Sequence, residues 1–217
     1  MTDTPDSTPA QSDAPARKND RVVWIDCEMT GLELGHDALV EIAAIVTDAE
    51  LNELDAGIDL VIRTDADKLA GMPDIVRQMH TASGLLTEIP SGIELDDAAA
   101  QVLAYVKSHV PEARKAPLAG SSVYVDRGFI SRDMPELDAY LHYRLIDVST
   151  LKELARRWYP RTFFASPPKN GGHRALADIR ESIAELRYYR AALMVPPPGL
   201  DAAALAPLTD EHIVTHL

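Results

Sequence analysis

The sequence predicts one α/β domain built on a mixed sheet flanked by helices. Three observations carry this: strand-like apolar runs crowd the first third of the chain, the apolar period then lengthens to that of helices, and two short apolar strands return between helical stretches. With 217 residues and 46% hydrophobic content, the chain can bury one substantial core.

The elements follow in order. Residues 1–20, MTDTPDSTPAQSDAPARKND, are rich in Thr, Ser, Asp and Pro and have too little apolar surface to offset the entropy of ordering, so a disordered arm is expected. The arm has neither the apolar core of a secretory signal nor the Arg-rich, acid-poor character of a transit peptide. No later stretch approaches a membrane span, so a cytoplasmic protein is expected. Arg21–Cys27 (RVVWIDC), Leu39–Thr47 (LVEIAAIVT) and Gly57–Arg63 (GIDLVIR) read as three strands separated by polar turns, which suggests an antiparallel start. Helical stretches are predicted at about Asp67–His80 and Leu95–His109, then a short strand at Pro117–Gly120, then helices near Asp126–Arg132 and Pro135–His142. A further strand, Arg144–Val148, precedes Ser149-Thr150, which can cap a helix running to about Trp158. Gly171–Met194 is the clearest helix, with Leu176, Ile179, Ile183 and Leu186 at three- and four-residue spacing. Three prolines stop it, which bounds the domain at 21–194 and leaves 195–217 as a Pro/Ala-rich tail.

Cys27 is the only cysteine, so no intramolecular disulfide or thiolate metal cluster can form within one chain, and a metal would have to be held by oxygen or imidazole. The formal charge is −13, of which the arm contributes −2 and residues 195–217 contribute −3, leaving −8 on the presumed folded part. A protein with that balance should not hold long nucleic acid by counterion release. If it acts on nucleic acid, the substrate should be short and gripped locally. Neither an internal repeat nor a Gly-rich phosphate loop of the Walker or dinucleotide type is visible.

Asp26 and Glu28 stand two apart at the end of an apolar strand, so the period of two puts both carboxylates on one face. Crowded acids repel and are costly to desolvate unless a proton or cation neutralises them, and hard ions such as Mg2+ or Mn2+ accept carboxylate oxygens. Alone, a D-x-E pair is more often a solvated strand end. Cys27 points to the opposite face and reads as core. His173 and Asp178, five apart, would diverge by about 140° in a continuous helix, so Gly171-Gly172 suggests that His173 lies on the loop leading into the helix. A neutral imidazole there suits removal of a proton from water, although a lone histidine is more often a surface or capping residue. Asp126, after the apolar VYV, serves equally well as a helix N-cap.

The order of these pieces resembles the DEDD exonucleases: D-x-E on the first strand, an Asp about a hundred residues on, then H-x4-D on the last helix. The His five residues before the final Asp resembles the DEDDh branch, which implies a ribonuclease-H-like fold and a two-metal mechanism. Within that branch WIDCEMTGL (24–32), HTASGL (80–85), HYRLIDVSTLKELARRW (142–158) and HRALADIRESIAELRYYR (173–190) are similar to the oligoribonucleases, and the likeness spans about residues 21–192. It implies a 3′-to-5′ exoribonuclease acting on very short, dinucleotide-sized RNA to release 5′-mononucleotides. By that resemblance Asp26, Glu28, Asp126 and Asp178 bind two divalent ions, Mg2+ or Mn2+, and His173 is the general base. Leu32 falls at the family's leucine wedge and would lie against a base. Ser122, Ser149 and Thr150 match positions that bind the substrate backbone and its 5′ phosphate. His142, Tyr143 and Arg144 match an element that reaches into the partner subunit's site and caps the 5′ phosphate, which implies a homodimer. Without that match, the trio would read as an ordinary helix end followed by a strand.

The sequence departs from the family pattern twice. Ser121 stands where many relatives have Asn, and Ile75 falls where many place an aromatic residue for base stacking, a contact on the order of 1–3 kcal/mol per base. Tyr124 is a candidate to compensate. Two other readings remain: a broader DEDDh exonuclease acting on longer single-stranded DNA or RNA ends, and a silent nucleotide-binding protein. Acidity and the His142–Arg144 element weigh against the first. A binder has no need to keep unneutralised acids together, which weighs against the second.

Overall fold

The computed structural model describes residues 20–169 and 172–212. The element order is β1 (Val22–Met29), β2 (Leu39–Thr47), β3 (Ile58–Val61), α1 (Ala66–Ala70), α2 (Asp74–Ala82), α3 (Leu85–Glu88), a 3-10 turn (Ile89–Ser91), α4 (Leu95–His109), β4 (Pro117–Gly120), α5 (Tyr124–Asp133), α6 (Pro135–Tyr140), β5 (His142–Asp147), α7 (Val148–Trp158), α8 (Pro160–Phe164), α9 (Ala175–Leu193) and α10 (Ala202–Glu211). The sheet order is β3-β2-β1-β4-β5. β1 pairs antiparallel with β2, as β2 does with β3, while β4 pairs parallel with both β1 and β5. The mixed sheet and the antiparallel start expected from the sequence are therefore both present.

The sheet is the middle of three layers. Residues Val23, Ile25, Cys27 and Met29 of β1 pack against α4, α5 and α6 through Val102, Val106, Phe129, Ile130 and Leu137. The alternate residues Val22 and Trp24 pack against α7 and α9 through Ala155, Ile179, Ile183 and Tyr189. The strand period of two thus sorts β1 between two cores, and Asp26 and Glu28 fall on the α9 side. β2, central and covered on both faces, is buried at every residue.

Several boundaries differ from the sequence reading for local reasons. The stretch Asp67–His80 is two helices, because Pro73 has no amide to donate and disfavours helical geometry at Met72. Helix α7 is capped by Asp147, whose carboxylate accepts from Ser149 N, and not by Ser149 or Thr150. Asp126 is not an N-cap either: it lies within the first turn of α5, which starts at Tyr124. The last long helix begins at Ala175, since His173 has φ +47° and Arg174 is extended. The tail contains α10, whose residues are all exposed. The arm expected at 1–20 falls outside the described residues except for Asp20. Among the described residues, no helix is long and apolar enough to cross a membrane.

Candidate active site

The site forms where β1 outruns its parallel neighbour. β4 pairs with β1 only at Val23 and Trp24, so the edge of β1 is open from there on. The Cys27 amide, left without a strand partner on that side, donates to Asp126 Oδ1 at 2.9 Å. That bond draws the first turn of α5 over the end of the sheet and aims a nearly buried carboxylate, Asp126, at the D-x-E pair. On the other side α9 crosses the face that carries Asp26 and Glu28, bringing Asp178 from its first turn and His173 from the loop before it. Glu28, His173 and Asp178 each present a ligand atom within 4.8 Å of the others. All five predicted residues line one open cavity of about 580 Å3.

The electrostatics show strain of a specific kind. Burial, followed by repulsion from Asp126 and Asp178, pushes the Asp26 carboxyl well above the usual range. Burial, then Asp178 and Glu41, raise Glu28 to about 8. Burial raises Asp126 to about 7 despite the Cys27 amide, and burial with Glu181 raises Asp178. Lys169, itself paired with Glu185 at 3.1 Å, opposes this only in part at Asp26 and Asp178. Four acids held against protonation pressure in one cavity form a donor set that fits hard divalent cations. The His173 imidazole stands beside them.

The predicted substrate contacts divide into two places. Leu32 lines the cavity and is 72% exposed, a wasteful position for a leucine unless it contacts something else. Ser122 also lines the cavity, in the left-handed region at φ +56°. Asp147 holds it there by accepting from Ser122 N at 2.9 Å while accepting from Ser149 N and Ser149 Oγ at 2.9 and 2.6 Å. Ser122 and Ser149 therefore belong to one substructure, with Thr150 next to Ser149 in the first turn of α7. His142, Tyr143 and Arg144 lie elsewhere, on the edge strand β5 and outside the cavity lining. The His142 and Tyr143 rings stack at 4.5 Å, and the Arg144 guanidinium sits 5.5 Å from the Tyr143 ring centre. Ile75 and Tyr124 are both exposed, and neither lines the cavity.

Three residues were missed. His80 lines the cavity and is fully buried; its Nε2 donates to the Met29 carbonyl at 2.9 Å, leaving Nδ1 without a hydrogen bond, 3.8 Å from Glu28. Burial holds its pKa down. Lys169 stands four residues before His173, and no pattern marked it. Asp147 had a usable signal, an Asp immediately before V-S-T at a helix start.

A mixed sheet with acids gathered at the end of its first strand is the architecture of a hydrolytic nuclease, and the RNase_T exonuclease family matches residues 23–186. More narrowly, the chain belongs to the oligoribonuclease family. It is 64% identical over 197 residues to the oligoribonuclease of Streptomyces coelicolor, covering 91% of this chain and 98% of that one. It is 56% identical over 193 residues to that of Mycobacterium tuberculosis, covering 88% and 90%. Among solved structures, Escherichia coli exonuclease I in complex with a 5cy-dT13 oligonucleotide superposes with a TM-score of 0.62 at 16% identity. That likeness covers 81% of this chain but only 42% of the other, and it supports the fold alone.

Proposed function

We propose that this enzyme is a 3′-to-5′ exoribonuclease that hydrolyses very short RNA, above all dinucleotides, to 5′-mononucleotides in the cytoplasm. The observation that carries the reading is the meeting of Asp26, Glu28, Asp126, Asp178 and His173 in one cavity. The four carboxylates hold two divalent ions, Mg2+ or Mn2+. When bound, those ions supply the positive charge that lowers the pKa of water and stabilises the phosphoryl oxygens of an in-line displacement.

His173 takes the proton from the attacking water, a role that suits an imidazole near neutral pH. Leu32 packs against a base and fixes the terminal nucleotide, so that the scissile phosphate is held in line. Ser122, Ser149 and Thr150 bind the backbone and the 5′ phosphate, with Asp147 fixing Ser122 and Ser149 relative to each other. His142, Tyr143 and Arg144 act in trans in a homodimer, each subunit lending its exposed edge strand to the other's cavity. There the Arg144 guanidinium can grip a terminal phosphate through two parallel bonds. Such a closed end admits only a short strand, which agrees with a protein of net charge −13.

The test is a length series of 5′-phosphorylated RNAs from the dinucleotide upward, with Mn2+ and with a chelator. Metal-dependent cleavage fastest on the dinucleotide supports the proposal. Equal or faster cleavage of long strands moves the enzyme to the broader exonuclease reading, and no cleavage at any length refutes both.

A further inference from the structure

Helix α9 does not cap itself. Its N-cap residue, Arg174, is extended (φ −130°, ψ 120°), and its side chain makes no capping bond. The first helical amide, Ala175 N, instead donates to Glu41 Oε2 at 2.9 Å. Glu41 is fully buried in the middle of β2 and stands across from Glu28 in the strand register. Its other oxygen accepts from Arg174 Nε at 2.7 Å, and the two terminal guanidinium nitrogens donate to Glu88 Oε1 and Oε2 at 3.0 and 3.1 Å. The Arg174 carbonyl then accepts from Ala177 N and Asp178 N at 2.9 and 3.0 Å. Both the side chain and the carbonyl of Arg174 are therefore tied down, between β2, α3 and the first turn of α9.

The residue directly before this clamp is His173, at φ +47°. A non-glycine residue persists in the left-handed region when its surroundings over-determine it. On its other side the described residue is Gly172, exposed and without described atoms near its Cβ position. Among the described residues, the bonds that fix the chain beside His173 lie on the Arg174 side. We propose that Arg174, fixed by Glu41 and Glu88, is a positioning residue that keeps His173 in this conformation and so aims its imidazole into the cavity. The inference rests on the reading of His173 as the base. A planar guanidinium gives its Nε to one carboxylate and a parallel pair of bonds to the other, a fork that a lysine ammonium cannot reproduce.

Arg174 also lies close enough to Glu28 to favour its charged form, so its loss could act through that carboxylate instead. The experiment separates the two routes in the full-length enzyme. Arg174→Ala, His173→Ala and the double variant are compared by steady-state kinetics on 5′-phosphorylated dinucleotide and by Mn2+ titration. The His173 ring resonance, assigned by its absence in His173→Ala, is followed in the metal-free protein. Arg174→Ala is expected to lower kcat by about ten- to a hundredfold, the range a small misplacement of a reacting group produces. KM and Mn2+ affinity should stay within about threefold. The His173 resonance should move, and the double variant should be no slower than His173→Ala.

An unmoved resonance overturns the proposal, as does an equal loss of kcat in the His173→Ala background. Full turnover by His173→Ala would instead refute the reading of His173 as base, while a shifted resonance would still uphold the clamp. Glu88→Gln leaves the Arg174–Glu41 pair intact and tests the same chain of contacts should Arg174→Ala not fold; it should move the same resonance by less, and no movement overturns the proposal.

Discussion

Glu28→Gln should stabilise the metal-free protein in alkaline solution while removing its activity. The Glu28 side chain is 12% exposed and is raised from the ordinary 4.5 to about 8 by burial and by Asp178, Glu41 and Asp126. Because the folded state holds this proton more tightly than the unfolded chain, the stability it contributes is fully present below the ordinary value. It is lost as pH rises toward about 8. Above that, the folded protein carries a buried, unneutralised carboxylate, and glutamine does not. At about 1.4 kcal/mol per pKa unit the difference approaches about 5 kcal/mol. Asp26 and Asp126, also raised by burial in the same cavity, adjust their own protonation in response, so about 2–3 kcal/mol is the expected gain.

For a chain of this length that corresponds to roughly 5–10 °C in melting temperature. The assay is thermal and urea unfolding in chelator at about pH 5 and about pH 8.5, read as variant minus parent at each pH. The variant's advantage should grow with pH. Saturating Mn2+ should then narrow or reverse it, since an ion present at about 100 times its Kd adds about 2.7 kcal/mol to the parent. An advantage that does not grow between the two pH values would refute the reasoning, because repulsion among these acids would then not be what the ions relieve.

His173→Ala should lower kcat by about 10²–10⁴ with the dinucleotide KM little changed, and parent-like turnover would remove it as the base. Leu32→Ala should leave stability within about 0.5 kcal/mol, since the side chain is 72% exposed, yet raise the KM for dinucleotide; an unchanged KM would place the wedge elsewhere. Arg144→Ala should weaken binding of the 5′-phosphorylated dinucleotide far more than of its unphosphorylated form, measured by calorimetry. Equal weakening would end its assignment as a phosphate cap.

Long elements were legible because their apolar periods run unbroken between turn residues: Leu39–Thr47 and Leu95–His109 appear with the predicted bounds. Helices α3 and α8, with four and five residues, are too short to display a period at all. The same division runs through the site. That Asp26 and Glu28 share a face follows from strand geometry alone, and the surrounding clusters place Cys27 on the other side.

What Asp126 does depends on β4 ending early beside β1, a tertiary fact that no local pattern carries. Glu41 was different, because a lone acid inside the apolar run LVEIAAIVT announces its own problem. A charge in a strand buried on both faces requires a partner, and the partner here is the residue next to the predicted base. The apolar pattern of β2 and the H-R pair that opens the last helix thus belong to one arrangement. Buried acids would strain the fold at Glu28 and at Glu41 alike; at Glu41 the chain supplies its own cation, and at Glu28 the proposed ion would supply one.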